Sequence, residues 1–236
     1  MNNLDAIAES IRADFEVRDA AREAALKGSR ALTRACADVI RAVHRRQWGE
    51  VAARLDVARA AAADLRASTA AYPELWFSGY SQDALKEYVE AVAVYAIIRG
   101  DAALPLPEAL GVPANTYLNG LTEAASELRR SVLDLLRGGD GEGAAQLLAA
   151  MDAIYDQLVT FDFHDAITGG LRRRVDALRA VLERTRGDVT ASLRQDRLQA
   201  ALRRLEDRLG LEAVGDPGMA IGPDEPEMPG SDGVEG

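Results

Sequence analysis

Residues 4–47 read LDAIAESIRADFEVRDAAREAALKGSRALTRACADVIRAVHRRQ, without a proline and with Gly28 as the one glycine. Apolar residues recur here at helical spacing, and alanine, arginine and glutamate are strong helix formers. The stretch predicts a single helix from Leu4 to about Gln47, spanning about 60 Å. That is longer than a small compact domain is wide, so part of this helix is expected to pack on another subunit. Its profile is uneven. Leu4, Ile7, Ile11 and Phe15 form an apolar stripe at one end, and Leu32, Cys36, Val39, Ile40 and Val43 form one at the other. Between Glu16 and Ser29 the large apolar residues are only Val17 and Leu26, set among Arg18, Asp19, Arg22, Glu23 and Lys27. A helix wet in its middle suits the wall of a solvent-filled cavity; it equally suits a solvated stretch laced with ion pairs.

The same period continues outward from this helix. Gly49 ends it, and helices are predicted over about Glu50–Ala71, Ser81–Arg99 with Ser81 as N-cap, Asn115/Thr116–Arg137, Ala144–Phe161, Leu171–Arg186, and Asp188–Leu209. Gly138, Gly139, Gly141 and Gly143 read as a flexible turn, and Gly100–Pro113 as a proline-rich connection. No strand pattern or internal repeat is present. The expectation is one all-α domain, a multi-helix bundle over residues 1–209, followed by an acidic Gly/Pro-rich tail over 210–236 that is disordered.

Composition removes several function classes. The 236 residues carry 28 Lys+Arg against 38 Asp+Glu. Six of the acids, Asp216, Asp224, Glu225, Glu227, Asp232 and Glu235, fall in the last 21 residues, so residues 1–215 are nearly balanced at −4. An acidic total therefore does not exclude a nucleic-acid face. Lys27 and Lys86 are the only lysines, against 26 arginines, a bias pointing to a GC-rich, salt-adapted organism or to codon drift alone. A lone Cys36 excludes a disulfide framework or cysteine zinc site, and His44 and His164 are too few and too far apart for a histidine metal centre. The acidic start, with Asp5, Glu9, Asp14 and Glu16, is not a signal peptide, and the longest apolar run, Ala91–Ile98, is too short to cross a bilayer. These features predict a soluble cytoplasmic protein with no membrane association.

The chemistry-bearing residues are acids. Glu87 and Glu90 lie three apart on one helix, on one face, with Asp83 extending the line and an apolar setting of Tyr88, Val89, Val92 and Val94. A divalent cation would relieve both their repulsion and their desolvation; the alternative is that they sit at the surface or meet arginines. A third acid is offered by Asp156 or Asp152 on the fifth predicted helix, or by Glu123 and Glu127 on the fourth. Glu-x-x-His pairs, a Walker lysine and H-E-x-x-H are all absent, which argues against a di-iron bundle, a P-loop and a zincin.

Several of these elements, in order, carry a resemblance. Lys86-Glu87-Tyr88-Val89-Glu90-Ala91-Val92 resembles the signature helix of translin-associated factor X. Tyr117-Leu118-Asn119-Gly120 followed by Ser126-Glu127-Leu128-Arg129-Arg130 is similar to that family's Y-L-x-G…E-L-x-R pattern, and Ile154-Tyr155-Asp156 to its third acidic position. Arg18, Arg22 and Arg34 leading to Val43-His44-Arg45 resemble the translin opening. The likeness runs over about residues 5–187 and identifies the chain as a member of the translin and translin-associated factor X family, of a prokaryotic, haloarchaeal-like kind. The resemblance implies a translin-like helical bundle assembling into a hollow, octamer-like shell around RNA or single-stranded DNA. It implies a homo-oligomer, with a second translin-like subunit as the other arrangement. It further implies an endoribonuclease using Mg²⁺ or Mn²⁺, with Glu87, Glu90 and Asp156 as metal ligands and catalytic acids. Arg18, Arg22, Arg30 and Arg34 are then expected on phosphates. The alternative is a binding protein of the translin type without catalysis. Glu127 reads as a fourth carboxylate or as the partner of Arg130 or another base. The acidic tail reads as an autoinhibitory segment or a solubilising extension.

Overall fold

The computed structural model describes residues 3–101 and 103–209, and all regular structure among them is helical. The tail expected to be disordered, 210–236, lies outside the described residues. The helices are α1 (Leu4–His44), α2 (Trp48–Thr69), α3 (Pro73–Trp76), α4 (Gly79–Arg99), α5 (Pro107–Leu110), α6 (Ala114–Arg137), α7 (Gly141–Leu158), α8 (Asp165–Thr168) and α9 (Leu171–Leu209). No helix among them is long and apolar enough to cross a membrane.

The long first helix is as expected. Several boundaries differ from the sequence reading, each for a local reason. α4 begins at Gly79 behind Ser78 as N-cap, and Ser81, the expected cap, is instead buried in the first turn with its hydroxyl donating to the Leu75 carbonyl. The glycine-rich turn is shorter than it looks: Asp140 caps α7 by accepting from the Gly143 amide, which draws Gly141 and Gly143 into the helix. The two helices expected after residue 171 are one. Gly187 costs about 1 kcal/mol in a helix interior, but Leu182, Thr185 and Val189 continue one buried line through it. Arg129 fastens that line by donating to Thr185 and pairing with Asp188 at 2.8 Å. α3, α5 and α8 are single turns inside stretches that read as connections.

The chain divides into two units, Met1–Arg194 and Gln195–Gly236. In the second, the described residues 195–209 are helical, and Leu198, Leu202, Leu205 and Leu209 are exposed. The first holds the core, in two apolar clusters. One packs α1, α2 and α4 around Leu32, Val39, Val51, Leu65, Leu85 and Val89. The other packs α6, α7 and α9 around Leu128, Val132, Met151, Leu178 and Leu182. Ile98 and Leu121 touch both, so α4 and α6 form the seam. Contacts climb the two helices in the same sense, Thr116 to Gln82, then Gly120 to the Lys86 carbonyl and Val89, then Glu123 to Glu87 and Glu90. α4 and α6 therefore run parallel, and the proline-rich connection carries the chain back between them.

At the seam Gly120 has a specific duty. A Cβ there would stand 2.6 Å from the Val89 Cβ and 2.9 Å from the Lys86 carbonyl oxygen. Only glycine lets the two helix backbones approach this closely. One turn further along α6 is Glu123, which this approach delivers onto α4.

Candidate metal centre

Glu87, Glu90 and Glu123 come together across the seam, each offering a carboxylate oxygen within 4.8 Å of the others. The spacing that put Glu87 and Glu90 on one face holds in α4. The third acid is a correction. Asp156 does not join the group; it lies exposed on α7, the helix that uses Met151, Ile154, Tyr155 and Leu158 for packing. Glu123 takes the third place because α6, not α7, presses its face against α4. Asp152, the other acid on α7, pairs with Arg186 at 2.7 Å.

Glu90 is only 9 % exposed. Burial pushes its carboxyl up to about 8, and Glu87, Glu123 and Glu127 add to the rise while Lys86 opposes it. Glu87, half-buried, is raised by burial first and by Glu123 next, against the pull of Lys86. Burial out of water favours the protonated form of both carboxyls. Cys36 of α1 lies in the same field. Burial, then Glu87 and Glu90, push its thiol up to about 12, so it keeps its proton and offers no thiolate. The donor set is therefore oxygen alone, which fits a hard divalent ion such as Mg²⁺ or Mn²⁺.

Two bases lie against Glu123. Lys86 Nζ lies 2.8 Å from Glu123 Oε1 and 3.6 Å from Asp83, and Arg174 Nε of α9 lies 3.6 Å from Glu123. Arg174 is anchored by donating to Asn119 Oδ1 and to the Gly169 carbonyl. Glu127 meets neither Arg130 nor an ion site of three carboxylates. Its partner is His44, whose Nε2 is 2.6 Å away and whose side chain is almost fully buried. The sequence assigned Lys86, Arg174 and His44 no contact with these acids. The available signals were the adjacency of Lys86 to Glu87 and the inward position of His44 beside Val43; Arg174 carried none.

The four α1 arginines expected on phosphates, Arg18, Arg22, Arg30 and Arg34, are all exposed but do not form one row. Arg18 pairs with Asp14 and Glu74 and lies over the Tyr72 ring, and Arg22 pairs with Glu23 at 2.8 Å. Arg30 and Arg34 have no ion-pair partner among the described residues. Twelve residues separate Arg18 from Arg30, which places them about 120° apart around the helix. Trp48 and Trp76 pack against the first core cluster under Arg99 and Arg66, and Tyr117 packs there too, donating to the Pro105 carbonyl. Arg129 is taken by Asp188, while Arg130 is exposed.

Fold and site together define a class, an all-α bundle with a carboxylate group clasped between two parallel helices. No protein-family model matches the sequence. An uncharacterized protein of Methanocaldococcus jannaschii is 32% identical over 197 residues, covering 83% of this chain and 86% of its own length. The crystal structure of AfC3PO is 33% identical with a TM-score of 0.72, covering 78% of this chain and 96% of that one. AfC3PO solved with duplex RNA aligns with a TM-score of 0.70 at the same identity. Apo-NeC3PO, 19% identical with a TM-score of 0.71, shares the fold. The chain belongs to the translin family, the family of these C3PO structures.

Proposed function

We propose that this chain is a metal-dependent endoribonuclease of the translin-associated factor X type, binding small RNA within an oligomeric shell in the cytoplasm. The observation that carries the reading is the meeting of Glu87, Glu90 and Glu123 across the seam, each with a carboxylate oxygen within 4.8 Å of the others. AfC3PO, solved with duplex RNA, supports RNA as the ligand class. The exposed stripe of Leu4, Ile7, Ile11 and Phe15 on α1 supports assembly, since an apolar row left open on one chain suits a neighbouring subunit.

Glu87, Glu90 and Glu123 would hold Mg²⁺ or Mn²⁺. A bound ion would supply positive charge to the phosphate oxygens as negative charge builds on them during phosphodiester hydrolysis. The chain's own part is to seat the phosphate and handle protons. One of the three carboxylates is suited to accept the proton of the attacking water. Arg30 and Arg34, exposed and unpaired among the described residues, are the α1 arginines best placed to meet phosphates; Arg18 and Arg22 already satisfy acids of this chain.

The test is cleavage of a labelled short RNA with Mg²⁺, with Mn²⁺ and with EDTA. Wild type is expected to cut only with metal, while Glu87→Gln and Glu123→Gln bind RNA but lose cutting by about a hundredfold or more. Asp156→Asn is expected to cut as wild type does. A second reading, RNA or single-stranded DNA binding without catalysis, is favoured by the Lys86 and Arg174 contacts that already neutralise Glu123. It takes over if wild type binds RNA and cuts with neither metal.

A further inference from the structure

Glu123 faces two ways. Toward α4 it meets Glu87 and Glu90; its Oε1 also receives the Lys86 ammonium at 2.8 Å. The Lys86 side chain is only 13% exposed, so this ammonium is largely out of water and depends on its carboxylates for stabilisation. Its other ion partner is Asp83, at 3.6 Å. Arg174, the second base on Glu123, is more distant and is held in place by Asn119 and the Gly169 carbonyl. Lys86 has no such anchor. It is also one of two lysines in a chain that otherwise uses arginine, at a position calling for a compact point charge on a flexible stem.

Resting on the metal-site reading above, we infer that Lys86 is the built-in counter-cation of this centre, a positioning residue that holds Glu123 while no ion is bound and competes with the ion for it. Two consequences follow from its charge. Without metal, Lys86 is the ammonium that relieves both Glu87 and Glu90, so it keeps the acid group together. With metal, that ammonium opposes the incoming dication and must give up Glu123, so it sets the metal concentration at which the centre fills. A residue with only a structural role would act in the opposite direction on metal binding, since its removal would loosen the ligands.

The experiment is calorimetric titration of purified protein with Mn²⁺ alone, beside thermal melts with and without Mn²⁺. Lys86→Met is expected to bind Mn²⁺ about tenfold more tightly than wild type, to melt lower without metal, and to gain more from Mn²⁺. Lys86→Arg is expected to restore weaker binding. In the Glu123→Gln background the Lys86→Met effect on affinity is expected to shrink, since only the direct repulsion between ammonium and dication then remains. Because Lys86→Met leaves acids unmatched and could fold poorly, the double variant Lys86→Met/Glu123→Gln serves as the folded comparison. Mn²⁺ binding that is unchanged or weaker in Lys86→Met overturns the inference, as does an equal affinity gain with Glu123 removed. Tighter Mn²⁺ binding without RNA cleavage by wild type leaves this inference standing and removes the nuclease reading. No Mn²⁺ binding by wild type removes both.

Discussion

Glu90 concentrates the chemistry of this chain in one side chain. Its carboxyl is raised to about 8 in the folded protein, above the ordinary carboxylate range. The folded state therefore holds a proton that the unfolded chain has lost, throughout the window from about 4.5 to about 8. Linkage then requires stability of the metal-free protein to fall as pH rises through that window. Glu90→Gln is expected to flatten this slope and to raise stability at pH 8 by about 1–3 kcal/mol, read by denaturant melts in EDTA at a series of pH values. A divalent ion must displace the same proton, so Mn²⁺ binding is expected to tighten from pH 6 to 8. At this scale the sequence was half legible. Glu87 and Glu90 share a face because one helix carries both, and helical spacing is local. Glu123 and Asp156 could not be ranked, since the choice depends on which helix packs against α4. Lys86 stood in plain view beside Glu87, yet nothing local says that its ammonium turns toward α6.

Between α4 and α6, the deciding feature is their closeness. Gly120→Ala would put a Cβ 2.6 Å from that of Val89, against a helix backbone that cannot yield as a side-chain tip can. The substitution is expected to cost about 1–3 kcal/mol of stability and to weaken Mn²⁺ binding, because it pushes Glu123 away from its partners. Melting temperature and Mn²⁺ titration measure the two effects separately. The Y-L-x-G motif was visible in the sequence, but its glycine is explained only by the backbone that it meets. α9 teaches the converse. Gly187 and Asp188 looked like a stop and a cap, and the helix runs through them because burial of Leu182, Thr185 and Val189 outweighs one glycine. The arginines of α1 show a further limit. The resemblance implied that Arg18 meets phosphate together with Arg22, Arg30 and Arg34, whereas Glu74 of α3 pairs with Arg18.

For the whole molecule, the first unit buries its two apolar clusters and still leaves half of α1 uncovered, with Leu4, Ile7, Ile11 and Phe15 each between 46% and 63% exposed. Such residues add little to the stability of a single chain, so Ile11→Glu is expected to change its folding by about 0.5 kcal/mol or less. If the stripe is a subunit contact, the same variant lowers the particle mass in solution by light scattering while the helical circular dichroism persists. An unchanged mass would assign assembly to other surfaces. The sequence by itself determined the all-α class, the long first helix, the carboxylate pair on α4 and the family resemblance. Each of these is written in periods of a few residues or in contiguous motifs. Only the tertiary structure decided that Glu123 completes the group, that Lys86 faces its acids while His44 pairs with Glu127, and that α9 is continuous. Those outcomes depend on which faces meet, and burial and Coulomb forces between segments far apart in the chain set them.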